Sequence, residues 1–149
     1  MIFYKKGDLF KAPEQLLAHG VNCSGAFGSG VAAGMALNHI VARNSYFFKY
    51  TEFGWELGDV QFIVSNNKWI ANCATQLNYL PRTMCHADYP AIEAAMLKVK
   101  EFAMKDGLTV AMPKIGAGLA GGDWNIIKAI LEKVFNDYDA TVYELLTVK

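Results

Sequence analysis

The sequence predicts an α/β domain whose sheet is covered by helices on both faces. Three observations carry that reading. Short apolar runs alternate with segments of helical periodicity. Two consecutive runs in the middle of the chain have the spacing of a hairpin. Two glycine-rich loops each join an apolar run to a helix. Sheets built through crossover helices are buried on both faces, and ligands bind outside the carboxyl ends of their strands. Both glycine loops fall at such ends.

In chain order, residues 2–5 form a first strand, followed by the turn Gly7-Asp8-Leu9-Phe10. Residues 16–22 form a second strand that runs into the first glycine loop, whose core reads Asn22-Cys23-Ser24-Gly25-Ala26-Phe27-Gly28-Ser29-Gly30-Val31-Ala32. From residue 29 to about 39, small and apolar residues recur at helical spacing, with Gly34 allowing close packing on the sheet. The aromatic segment 46–53 belongs to a second helix. Residues 59–64 and 68–75 are consecutive strands joined by Ser65-Asn66-Asn67. Residues 77–87 have no period, carry Pro81, and are expected to form a mobile loop.

Beyond that loop the pattern is clean. Ile92, Ala95, Met96, Val99, Phe102 and Ala103 mark one face of a long helix, with Asp88 as N-cap, Pro90 in the first turn and Gly107 at its end. Residues 109–112 make a short buried strand leading into the second glycine loop, Met112-Pro113-Lys114-Ile115-Gly116-Ala117-Gly118-Leu119-Ala120-Gly121-Gly122. A helix lined by Ile127, Ile130, Leu131 and Val134 follows Asp123, and residues 141–146 form the closing strand. No repeat, linker or low-complexity segment interrupts the chain, so residues 1–149 are read as one domain.

Composition narrows the function classes. Apolar residues make up 53% of the chain, which excludes a disordered polymer. The formal net charge is zero and the charges are scattered, so diffuse attraction to nucleic acid or anionic membrane finds no support. An anionic ligand must then be held by local backbone donors. No stretch is apolar for long enough to cross a bilayer, and Met1-Ile2-Phe3-Tyr4-Lys5-Lys6 lacks a signal-peptide layout. Cys23, Cys73 and Cys85 show no CxxC spacing, and His19, His39 and His86 do not cluster, so neither a disulfide framework nor a metal site is indicated. The expectation is a cytoplasmic monomer without membrane partner, metal or cofactor.

Glycine has a physical meaning in the two loops. Without a Cβ the backbone takes positive φ and comes close to a ligand, so that N–H groups converge on phosphate oxygens at a helix N-terminus. Gly116-x-Gly118-x-x-Gly121 matches the dinucleotide fingerprint but stands in the wrong place. That fingerprint opens a βαβ unit with further strands beyond it, whereas only the strand 141–146 and three more residues follow here. Neither loop carries the GK[ST] ending of a nucleoside-triphosphate loop. What remains is a grip for a diphosphate.

Taken together, these residues resemble a macro domain, the ADP-ribose-binding module. The resemblance covers nearly the whole chain: Gly7-Asp8-Leu9-Phe10, the first glycine loop, Met112 to Leu119, and the closing Thr141-Val142-Tyr143-Glu144-Leu145. It implies a three-layer α/β/α fold around a central mixed sheet. The stretch from His19 to Ala32 is most similar to the branch containing ADP-ribose 1″-phosphate phosphatases and terminal ADP-ribose protein glycohydrolases. By that resemblance Asp8 accepts a hydrogen bond from the adenine amino group, with the Leu9 backbone beside it. Gly28-Ser29-Gly30-Val31 holds part of the diphosphate and the distal ribose. Ile115, Gly116, Ala117, Gly118, Leu119, Ala120 and Gly121 wrap the other side. Asn22 points its amide at the distal ribose.

The departures from the family pattern are equally specific. The second asparagine of many macro domains corresponds here to Gly25. The glycohydrolase lysine falls at Gln76 and its partner aspartate at Ala120. Gln is no amine nucleophile, and Ala no acid or base. The resemblance thus leaves phosphate-monoester hydrolysis of ADP-ribose 1″-phosphate, simple binding of ADP-ribose or of ADP-ribosylated macromolecules, or their de-ADP-ribosylation by a non-lysine route. In the first of these Asn22 lies beside the scissile bond. The general base is His19 by first choice, since it matches a histidine of the phosphatases, and Asp123 by second. Each has a plainer reading as well. His19 sits in a buried strand, where a hydrogen-bonded core histidine is the default, and Asp123 stands where an N-cap belongs.

Overall fold

A computed structural model of the chain, describing residues 1–145, arranges its elements in the order β1 (Ile2–Lys6), β2 (Leu16–Asn22), α1 (Val31–Asn38), α2 (Ile40–Glu52), β3 (Val60–Ser65), β4 (Lys68–Gln76), α3 (Tyr89–Asp106), β5 (Val110–Met112), α4 (Trp124–Val134) and β6 (Ala140–Glu144). The strands form one sheet in the order β1-β6-β5-β2-β4-β3. All neighbours run parallel except β3 and β4, which pair antiparallel from Val60↔Cys73 to Ser65↔Lys68. The mixed sheet follows from the Asn66-Asn67 turn, where both residues take positive φ, the conformation a two-residue hairpin needs.

Side-chain alternation along the strands builds two cores. On one face Leu16, Ala18, Ala71 and Cys73 pack against Ile92, Met96 and Val99 of α3 and Ile127 and Leu131 of α4. On the other, Leu17, Val21, Ile70 and Ala74 pack against Met35 of α1 and Ala42 and Tyr46 of α2. This is the three-layer arrangement. At an order of magnitude of 2 kcal/mol per buried large apolar side chain, both faces contribute heavily, so β2 can lie at the centre of the sheet with six of its seven residues buried.

Several boundaries differ from expectation. Helix α2 begins at Ile40, six residues before its aromatic segment, because only Ala42 and Tyr46 are buried and the first half carries no apolar period. The break between α1 and α2 sits at His39, whose φ of −142° is not helical. Gly34 packs closely, but on the ring of Phe10 rather than on the sheet: a Cβ there would lie 2.4 Å from Phe10 Cε2. The closing strand ends at Glu144, and Leu146 lies outside the described residues.

A candidate ligand cleft at the strand ends

Strands β2 and β5 are parallel neighbours, with Leu16 paired to Val110 and Leu17 to Ala111. Their carboxyl ends therefore emerge side by side, and the two glycine loops face each other there. Three cavities run along the gap. The proximal one, about 700 Å³, is lined by Asp8, Leu9, Phe10, Gly118 and Tyr143. The middle one, about 350 Å³, lies between Ser29-Gly30-Val31-Ala32 and Ile115-Gly116 with Gly118-Leu119-Ala120. The distal one, about 220 Å³, is lined by Asn22, Gly28, Ser29, Gln76, Tyr79 and Arg82. Gly30, Val31, Lys114 and Gly118 border both the proximal and middle cavities, and Gly20, Ser29, Gln76 and Leu119 both the middle and distal ones. The three form one cleft.

Backbone conformation makes the walls. Gly30 (φ +59°) is the N-cap of α1, and Gly116 (φ +77°) turns the second loop after β5. Both values lie in the left-handed region that glycine adopts without steric cost. Gly116 O accepts the Gly122 N–H at 2.8 Å, closing the second loop on itself. Among the described residues the N–H groups of Gly116, Gly118, Leu119 and Ala120 donate to no backbone or side-chain acceptor. Free backbone donors at a cavity wall suit the oxygens of a diphosphate.

Asn22 holds the first loop. Its Oδ1 accepts from Ser24 N at 3.0 Å, Ser24 Oγ at 3.1 Å and Ala26 N at 3.2 Å, while Nδ2 donates to Ala26 O at 2.9 Å. The Tyr46 hydroxyl lies 2.8 Å from the Asn22 carbonyl and 2.9 Å from Oδ1, sharing one proton between them. Burial pushes the Tyr46 pKa up to about 12, which keeps that proton in place. An amide nitrogen has two donors, so one Asn22 N–H is left for the distal cavity. The place of the family's second asparagine is explained locally. A Cβ on Gly25 would lie 2.7 Å from the Tyr50 ring, and the Gly25 N–H donates to Tyr46 Oη at 3.1 Å.

The structure brings Asp8, Leu9, Asn22, Gly28, Ser29, Gly30, Val31 and Ile115 to Ala120 onto the cleft and leaves three expected residues off it. Gly121 backs the second loop, where its Cβ would meet the Met84 carbonyl at 3.3 Å. Asp123 is exposed and caps α4, its Oδ1 accepting from Asn125 N at 2.9 Å, and lines none of the three cavities. His19 is fully buried on the α1–α2 side of β2, with Nε2 2.5 Å from Asn72 Oδ1 and Phe27 edge-on at 5.5 Å. Strand alternation sends it away from the cleft, and burial, opposed only in part by the Asn72 bond, pushes its pKa down to about 4. Neither expected base lines the cleft.

The buried imidazole has a stability consequence. Its folded pKa lies below the ordinary value of about 6.5, so between those values the unfolded chain binds more protons than the folded one. The contribution is intact above pH 6.5 and declines as pH falls towards 4. Denaturant melts should show His19→Gln losing less stability than the parent between pH 7 and 4.5, by on the order of 2 kcal/mol. Equal losses would contradict the assignment.

Sequence reasoning missed other walls. Thr75, Tyr79 and Arg82 line the cleft, and Thr75 Oγ1 is buried without a partner among the described residues. Tyr79 and Arg82 belong to the irregular segment 77–87, which is strapped between the two loops. His86 N and Ala87 N donate to Ala120 O at 2.7 and 3.2 Å, and Arg82 Nη2 donates to Ser29 Oγ at 3.0 Å. Lys114, whose Nζ lies 5.1 Å over the Trp124 ring, is the basic side chain between the proximal and middle cavities. Tyr79 and Arg82 lie in the segment without period that is expected only to be a mobile loop, Thr75 lies at the end of an expected strand, and Lys114 is visible within the second glycine loop.

No family model matches the chain. It is similar to the ADP-ribose 1″-phosphate phosphatase of Candida albicans, 31% identical over 96% of this chain and 99% of that protein. It is also similar to the ADP-ribose glycohydrolase OARD1 of Homo sapiens, 28% identical over 97% of this chain and 91% of that protein. In fold it matches the macrodomain of Mycobacterium tuberculosis DarG with a TM-score of 0.85 at 24% identity, covering 96% of this chain and 97% of that one.

Proposed function

The chain belongs to the macrodomain family, in the branch that holds ADP-ribose 1″-phosphate phosphatases and ADP-ribosyl glycohydrolases, and on that premise we propose that it binds ADP-ribose along the cleft and hydrolyses ADP-ribose 1″-phosphate to ADP-ribose and phosphate. The observation that carries the reading is the continuity of the cleft. A large cavity beside Asp8 leads past the free backbone donors of the second glycine loop to a smaller polar cavity at Asn22. Asp8 Oδ1 already accepts the Phe10 N–H at 2.9 Å, capping a short turn, and its second carboxylate oxygen is left for the base.

In this reading the diphosphate lies between the two glycine loops and the 1″-phosphate enters the distal cavity. A water oxygen bonds to phosphorus while the bond from phosphorus to the 1″-oxygen breaks, and that oxygen takes up a proton. With His19 and Asp123 off the cleft, positioning and backbone N–H stabilisation of charge carry the rate. A lysine-based glycohydrolase reaction is disfavoured because Gln76 and Ala120 both line the middle cavity, the two places where that chemistry needs an amine and a carboxylate.

A second reading, binding of ADP-ribose without turnover, is favoured by one feature: among the described residues no carboxylate, histidine or lysine lines the distal cavity. Phosphate release from ADP-ribose 1″-phosphate, run beside calorimetry with ADP-ribose, decides between them. We expect binding together with release. Binding without release leaves the binding module, and absence of binding removes both readings.

A further inference from the structure

Among the described residues the distal cavity is lined by a single ionised side chain. Asn22, Ser29, Gln76 and Tyr79 supply amides and hydroxyls, and Arg82 supplies the charge. Arg82 comes from the segment 77–87 and spans 53 residues of sequence to bond Ser29 Oγ through Nη2 at 3.0 Å. No carboxylate of the described residues ion-pairs with it. A guanidinium carries five N–H donors in a rigid fork, and this one spends a single donor inside the protein. The base of its loop is tied to the second glycine loop through Ala120 O, so the fork is presented by a segment anchored on both walls of the cleft.

The remaining donors of Arg82 are free to take an anion. A planar fork matches two oxygens of one phosphate, which a point charge or a neutral sugar hydroxyl cannot do. The neighbouring groups fit the same ligand. Ser29 Oγ can turn its proton to a third phosphate oxygen, and Gly28 and Ala26 leave the wall uncrowded.

We propose that Arg82 is a specificity-determining residue: it reads a phosphate carried on the anomeric oxygen of the distal ribose and sets a preference for that anion over the free hydroxyl. The inference rests on ADP-ribose occupying the cleft as argued above. Arg82 is solvent-exposed, so water screens part of the interaction. About one charge-assisted pair then corresponds to a preference of about tenfold.

The test uses ADP-ribose and its 1″-phosphonate analogue, which keeps the anionic group and cannot lose it by hydrolysis. Calorimetry on the parent and on Arg82→Gln gives the ratio of the two dissociation constants for each protein. The parent is expected to bind the phosphonate about tenfold more tightly, and Arg82→Gln to bring the ratio near one. Circular dichroism melts establish that the exposed substitution leaves the fold intact. If ADP-ribose binds but the parent shows no preference, or Arg82→Gln keeps it, the assignment of Arg82 is overturned while the ADP-ribose reading stands. If the parent binds neither ligand, both fall.

Discussion

Asn22→Ala is expected to abolish measurable ADP-ribose binding and to destabilise the fold by about 3 kcal/mol. Its side chain is the internal frame of the first glycine loop, taking four hydrogen-bond contacts on Oδ1 and giving one from Nδ2. Truncation strands the Ala26 N–H and carbonyl and removes one of the two acceptors of the Tyr46 hydroxyl. A buried polar group left without a partner costs roughly 1–3 kcal/mol. For a domain of this size such a loss lowers Tm by roughly 6–12 °C. The loop then no longer sets Gly28-Ser29-Gly30 against the second wall, so binding is lost beyond what stability accounts for. Asn22→Asp separates the two roles. It keeps the acceptor but turns an oxygen towards the Ala26 carbonyl, and is expected to fall between the parent and alanine. Thermal melts with calorimetry read both effects, and an alanine variant that binds ADP-ribose as the parent does would contradict this account.

Gly122→Ala is the second large effect, and it acts through space alone. A Cβ at that position would lie 2.6 Å from the Gly116 carbonyl oxygen, 2.8 Å from Ile127 Cδ1 and 2.9 Å from Ala87 Cβ. The first of these is backbone, held by the bond from Gly122 N to Gly116 O, and Ile127 is fully buried. Relief requires the second glycine loop to open, at a cost of about 2–3 kcal/mol, typical of overpacking. Because the loop supplies the free donors of the middle cavity, ADP-ribose affinity should fall by more than about tenfold, equivalent to at least 1.4 kcal/mol. Gly118→Ala is the contrasting substitution for stability: its Cβ meets nothing within 4 Å, and its melting temperature should match the parent. Equal melting temperatures for both variants would show that the clash at Gly122 is absorbed elsewhere.

The two glycine loops were legible in the sequence because glycine at a strand end has few other reasons to recur. Their position relative to Asp8 and Asn22 was legible through the resemblance. The apolar periodicities of α3 and α4 were equally plain, since each helix buries one continuous face. Helix α2 was not, because it rests on Ala42 and Tyr46 and leaves Phe48 and Tyr50 exposed. Aromatic residues on its outer side blurred the pattern that burial normally writes into a sequence.

His19 had two readings, a base by its resemblance to a phosphatase histidine and a core histidine by its place in a buried strand, and successive side chains of a strand point to opposite faces. Only the layer packed on each face decides whether such a residue meets solvent or core. Arg82 shows the converse: a charged residue in a segment without period carried no local signal, and its bond to Ser29 exists only because the chain folds back across the cleft.

By itself, the sequence determined the order of strands and helices, the hairpin and the two glycine turns, while Gln76 and Ala120 took their meaning only from the resemblance. Those elements and turns are local properties, set by side-chain period, by φ and by residue chemistry. The tertiary structure alone decided which of the nearby polar groups face the cleft. It placed Arg82, Tyr79 and Thr75 on the cleft, withdrew His19 into the core and gave Asp123 to a helix cap, because facing a common cavity depends on the packing of segments far apart in the chain.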